Sequence, residues 1–170
     1  VNGFKNGQIT DMSAPVARND LLTRSTFVAF DTETTGLWAL SNRLVEIAAV
    51  RFRLDSDSFV EFQSLINPER EIPGEAIKIH GITNEMVTAA PKASEVLSKF
   101  LGFCGTDALL VAHNAPFDMS FVGNELDREN IDYPPNLILD TVDICRRYYP
   151  GMPSYSLVSL ARQFGLSQTQ

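Results

Sequence analysis

The apolar pattern of this chain changes period partway along, and that change constrains its fold more than any other feature. Up to residue 66 the apolar residues come in short runs or in alternation. Phe27-Val28-Ala29-Phe30 ends abruptly in Asp31-Thr32-Glu33, a second run spans Leu44–Phe52, and Phe59–Ile66 alternates. Alternate side chains of a strand share a face, so these read as three strands, with Asp55-Ser56-Asp57-Ser58 as a hairpin connection. Beyond residue 90 the spacing turns helical: Ala93, Val96, Leu97, Phe100 and Leu101 fall on one face of a helix that starts near Pro91. Ala108–Ala112 reads as a strand buried on both faces, stopping at His113-Asn114, and Pro116 opens a helix with Phe117, Phe121 and Leu126 near one side. Leu137-Ile138-Leu139 is a short strand, with Thr141 as the expected cap of the helix after it. Leu157, Leu160, Ala161 and Phe164 mark a last helix, which Gly165 stops. A hairpin-rich start followed by alternating helices and strands predicts an α/β layer fold around a mixed sheet.

A chain of 170 residues suits one domain. Its first 25 residues are polar, hold no sustained period and read as an arm or linker, leaving 26–170 as the domain proper. No apolar run approaches the roughly 20 residues of a membrane span, and the N-terminal stretch has no apolar segment of the secretory kind. No membrane partner is therefore expected. Two cysteines far apart, Cys104 and Cys145, fit a reducing, cytoplasmic setting and read as small core residues.

The formal net charge is −7. A protein that coats duplex is usually basic, because its affinity comes from releasing counterions off phosphates. That class is excluded, while an enzyme gripping one strand end through metal ions remains allowed.

Phe27, Ala29, Asp31 and Glu33 share one strand face, which sets two carboxylates side by side, about 7 Å apart at Cα. Like charges raise each other's pKa unless a cation compensates, and a hard divalent ion that prefers carboxylate oxygens would do so. The alternative is that these acids merely mark where the strand meets solvent. Thr34-Thr35-Gly36-Leu37 follows as a turn whose N–H groups and hydroxyls could hold a nucleotide. Asp118 falls in the first turn of the helix after the buried strand, where open α/β sheets place ligands. In isolation it could equally be favourable helix-dipole electrostatics, and His113 a buried, hydrogen-bonded imidazole.

Taken together, FVAFDTETTGL and VAHNAPFDMSFV resemble the first two motifs of the DEDD 3′–5′ exonucleases. The subgroup they are most similar to, DEDDh, contains the DNA polymerase III epsilon proofreading subunit. Ile79-His80-Gly81-Ile82-Thr83-Asn84-Glu85-Met86 is similar to that subgroup's linker motif, as are Asn67-Pro68 and the Glu46 of Leu44-Val45-Glu46-Ile47. The resemblance runs from about Phe27 to Leu166.

It implies a ribonuclease H-like fold and two divalent metal ions, Mg²⁺ or Mn²⁺, acting on a 3′-terminal phosphodiester of a single-stranded or frayed DNA end. It implies Asp31, Glu33 and Asp118 as catalytic metal ligands. Thr34, Thr35, Gly36 and Leu37 would border the terminal nucleotide, with His80, His113, Asn114 and Phe117 helping to position it. A DNA polymerase subunit is the implied partner. One departure stands out: the third motif, a His followed five residues later by an Asp, is due about where the sequence stops at Gln170. His80 and His113 do not occupy that position, and no Asp follows Tyr148, Tyr149 or Tyr155 to supply the tyrosine variant. The 170-residue chain is therefore expected to be a poor catalyst by itself, and residues beyond Gln170 to carry the missing pair. Three other readings stay open. They are an RNA-trimming enzyme of the same family, a silent end-binding or polymerase-docking module, and a phosphatase built on Asp31 and Glu33.

Overall fold

The computed structural model describes residues 21–166. A five-stranded sheet has the spatial order β3-β2-β1-β4-β5, built from β1 (Thr26–Thr34), β2 (Leu44–Arg53), β3 (Phe59–Leu65), β4 (Leu109–Ala112) and β5 (Ile138–Asp140). The first three pair antiparallel, while β4 joins β1, and β5 joins β4, in parallel. This is the mixed sheet that the change of period predicts.

Helices α1 (Gly74–His80) and α2 (Asn84–Val87) follow β3, and α3 (Ala93–Cys104) precedes β4. Then come α4 (Ala115–Glu129), α5 (Thr141–Tyr148) and α6 (Leu157–Gln163). Val28 and Phe30 of β1 pack with Leu97 and Phe100 of α3 and with Phe121 and Leu126 of α4 in the main core. A second cluster, Val45, Ile72, Ala76, Ile82 and Val87, secures the two short helices.

β1 is the central strand, and its pairing explains where the acids lie. Antiparallel pairing with β2 runs the whole length of β1, but the parallel ladder to β4 covers only Phe27–Ala29. The Asp31–Glu33 end of β1 therefore overhangs β4. There Thr32, buried like Val28 and Phe30, faces α4, while Asp31 and Glu33 point the other way.

Several expectations change in detail. Residues 1–20 of the predicted arm, and 167–170 at the other end, lie outside the described residues, and residues 21–24 form a helical turn before β1. In β4, Leu110 and Ala112 are buried but Leu109 and Val111 only half-buried, so one face is less covered than a two-sided burial requires. Cys104 is core, whereas Cys145 sits half-buried on α5; both are free thiols. Asp140, not Thr141, caps α5: its carboxylate accepts from Val142 N at 2.8 Å, while the Thr141 hydroxyl turns to Ala112 O. No helix among the described residues is long and apolar enough to cross a membrane.

Candidate active site

Asp31 and Glu33 leave β1 on the face away from the main core, and Glu46 of β2 stands directly opposite Glu33. Asp118, in the first turn of α4, is 2% exposed. Its Oδ1 accepts both the backbone N–H of Thr32 at 3.0 Å and the Thr32 hydroxyl at 2.8 Å. The side chain thus takes the place that a continuing β4 would have filled beside β1. Asn114 sets up that approach. It adopts the left-handed conformation, φ 66°, just before α4, and its N–H donates to Asp140 Oδ1 at 3.0 Å.

The electrostatics are those of acids without enough compensation. Lost hydration comes first in raising Glu33 to about 7, and Asp31, Glu46 and Asp118 add to it. Asp118 is pushed up to about 6, first by burial and then by Asp31, against the opposing hydrogen bonds from Thr32. Asp31 rises as well: lost hydration and Glu46 outweigh the Thr32 N–H and the charge of His113, although the side chain as a whole is exposed.

Carboxylates that penalise one another in this way are the donor set a hard divalent cation relieves, so Asp31, Glu33 and Asp118 fit such an ion in kind. Among the described residues, no three His, Cys, Asp or Glu side chains are gathered closely enough to hold a metal as they stand.

A cleft of about 490 Å³ opens beside these acids. It is lined by Thr32 through Trp38, by Pro73, Glu75, Ala76, Ile79 and His80 around α1, and by Phe117 of α4. Of the residues expected to touch a nucleotide, Thr34, Thr35, Gly36, Leu37, His80 and Phe117 line it together with Glu33. Asp31, Asp118, His113 and Asn114 do not.

The turn after β1 differs from the expected role of its hydroxyls. Thr34 Oγ1 donates to Gly36 O at 2.7 Å and Thr35 Oγ1 to Asn42 Oδ1 at 3.2 Å, so both hydroxyls brace the turn itself. Gly36 leaves room for Asn42: a Cβ there would lie 2.7 Å from Asn42 Oδ1 and would displace the side chain that Thr35 bonds.

The two histidines are held by different partners. His80 Nδ1 accepts the N–H of Ile82 at 3.0 Å, which leaves the neutral ring's proton on Nε2, a buried atom without a partner beside the cleft. His113 Nδ1 lies 2.9 Å from Thr141 Oγ1, whose own proton goes to Ala112 O.

Sequence reasoning missed Trp38, Pro73 and Glu75 of the cleft, though the first directly follows the Leu37 of a recognised motif. It also missed the brace behind the turn. Glu125 of α4, 1% exposed, receives Arg43 Nε at 2.7 Å and Arg128 Nη1 at 2.8 Å. Arg128 also donates to the carbonyls of Ala39 and Leu40 at 3.3 and 3.2 Å, tying residues 36–43 to α4.

Residues 28–170 match the Exonuclease family of the RNase T type. Among curated relatives, the DNA polymerase III PolC-type of Latilactobacillus sakei is 37% identical over 150 residues, 88% of this chain. The alignment spans only 10% of that protein, so this chain corresponds to about a tenth of the curated relative's length. Among solved structures, a product-bound exonuclease I superposes with a TM-score of 0.75 at 21% identity, covering 85% of this chain and 39% of that one. It shows the ribonuclease H-like fold that the motifs imply. Exonuclease X in complex with 5′ overhanging duplex DNA has a TM-score of 0.61 at 30% identity, covering 84% of this chain and 75% of that one. With the family matched over nearly the whole described fold, and acids at the β1 end and the start of α4, this chain belongs to the Exonuclease family.

Proposed function

We propose that the chain is a metal-dependent 3′–5′ exonuclease domain of proofreading type, releasing nucleoside monophosphates from single-stranded or frayed DNA 3′ ends. The observation that carries the reading is that Asp31 and Glu33 of β1 and Asp118 of α4 lie within electrostatic reach of one another, with all three carboxyls raised above their ordinary range. Asp31, Glu33 and Asp118 would hold two divalent ions, Mg²⁺ or Mn²⁺, which when bound supply charge stabilisation for an attacking water and a departing 3′ oxygen.

The chain's own residues position the strand. Thr34, Thr35, Gly36 and Leu37 form the braced wall of the cleft, and Phe117 packs at its α4 side. His80 offers an Nε2–H to an oxygen of the terminal nucleotide, and His113 stands near Asp31, with Asn114 setting its place before α4. DNA as the substrate is supported by the exonuclease X relative, whose structure holds overhanging duplex DNA. A polymerase context is supported by the PolC-type relative, and a cytoplasmic setting by the two unpaired cysteines.

A second reading, a silent end-binding or polymerase-docking module, is favoured by one observation: the acids are not gathered into ligating geometry. One assay separates the two. A single strand labelled at either end is incubated with Mg²⁺ or Mn²⁺ and with EDTA, using DNA and RNA of one sequence, with the 170-residue chain and with a chain extended past Gln170, on which the cleavage outcome is read. The exonuclease reading expects metal-dependent loss of 3′ label as mononucleotide, with the 5′-labelled strand shortening stepwise. Binding without shortening would leave the docking module; shortening from the 5′ end, or in EDTA, would refute the exonuclease proposal.

A further inference from the structure

Trp38 is the sole tryptophan of the chain, and it is 77% exposed on the rim of the cleft. An indole left in water forgoes a large burial term, so its surroundings need to say why it is displayed. The backbone beneath it is fixed. The Trp38 carbonyl accepts the N–H groups of Ser41 and Asn42, both at 3.0 Å, and Asn42 Nδ2 at 3.0 Å. Behind it, the buried Glu125 holds Arg128 against the next two carbonyls. The ring is thus presented on a loop held from two sides.

Its surroundings also limit what could lie on it. Neither Lys nor Arg is among the described residues lining the cleft, which carries Glu33 and Glu75 instead, in a chain of net charge −7. A strand entering here meets no Lys or Arg among the described residues of this wall. An uncharged π-face can still hold it, because base–aromatic stacking works with any base and releases no counterion.

We propose that the Trp38 indole is the stacking platform for a nucleobase of the bound strand, making this rim a subsite for unpaired nucleotides. The proposal rests on the exonuclease reading and adds to it the side chain that would read an unpaired base. A base within a duplex has both faces covered by its neighbours, whereas an unpaired base can exchange one neighbour for the indole. Selection is then by strandedness and nearly blind to sequence.

The test uses the indole as its own reporter. The full chain is titrated with a dT oligonucleotide in Ca²⁺, which suppresses turnover, while Trp fluorescence is followed. The same titration is run with an abasic oligonucleotide of equal length and with blunt duplex. Stacking predicts quenching by dT and little by the abasic strand or the duplex; in a parallel anisotropy titration of end-labelled dT, which needs no tryptophan, affinity is about 5- to 100-fold weaker for Trp38→Ala, with Trp38→Phe between. Equal quenching by the abasic strand, or Trp38→Ala binding within twofold of wild type, overturns the platform. If dT fails to bind at all the platform is also overturned, and the end-labelled cleavage assay then shows whether the exonuclease reading falls with it.

Discussion

Replacing Glu33 with Gln should stabilise the metal-free protein above neutral pH and do so much less in mild acid. Gln keeps the shape of the side chain and removes the charge that Asp31, Glu46 and Asp118 oppose. Glu33 is raised from 4.5 to about 7, so the folded state holds its proton more tightly than the unfolded chain does. That contribution to stability is fully present below pH 4.5 and is lost as the pH climbs through 7. At 1.36 kcal/mol per unit the shift would correspond to about 3 kcal/mol, and solvent screening of a half-exposed carboxyl reduces this to about 1–2 kcal/mol. Urea unfolding in EDTA at pH 5 and pH 8 measures it, with unchanged m-values confirming that one transition is compared. The variant should gain about 1–2 kcal/mol at pH 8 and only about a quarter of that at pH 5. Added Mg²⁺ should then stabilise wild type more than the variant, by mass action. An equal effect at both pH values, or a variant weaker at pH 8, would refute the uncompensated carboxylate cluster.

Asp118→Ala should lose nuclease activity and also about 1–3 kcal/mol of stability, because the buried Thr32 N–H and hydroxyl lose their acceptor. Asp118→Asn keeps an acceptor oxygen and should lose activity with most of the stability retained, as thermal unfolding beside the cleavage assay would show. Glu125→Ala strands Arg43 and Arg128 against α4 and should cost about 2–4 kcal/mol in urea unfolding. Strand binding should depend weakly on monovalent salt, with a slope matching only about two or three phosphates, and strongly on divalent ions. A steep slope persisting in EDTA would instead point to a basic surface such as Arg146 and Arg147 on α5.

The alternation of Val28, Phe30 and Thr32 against Asp31 and Glu33 is readable because a strand's period is fixed by its backbone, and the structure keeps it. The helix over Ala93–Cys104 is readable for the same kind of reason. What lies between residues 66 and 90 is not. Helices α1 and α2 are seven and four residues long, too short for a period to show. They are held by tertiary contacts such as Ile72 N donating to Asn84 Oδ1 at 2.8 Å. Motif order brings Asp118 to the site, but its bond to Thr32 joins residues 86 apart and leaves no local trace. The same holds for Arg43 and Glu125, 82 apart, whose charges read alone as ordinary surface. At the start of α5, adjacent Asp140 and Thr141 are both good caps, and the choice rests on distant partners: Asn114 N–H on Asp140, and Ala112 O and His113 on the Thr141 hydroxyl.

The bond between Thr32 and Asp118 also has a consequence for timing. A chain is made from its N-terminus, so the three antiparallel strands bearing Asp31 and Glu33 are complete while α4 is still unsynthesised. A nascent chain at that stage owns two of the three acids and no wall to close on them. On the proposed site, cutting would wait until α4 docks beside the overhanging end of β1. With the site as proposed, the order of synthesis alone would keep a half-made domain from cutting.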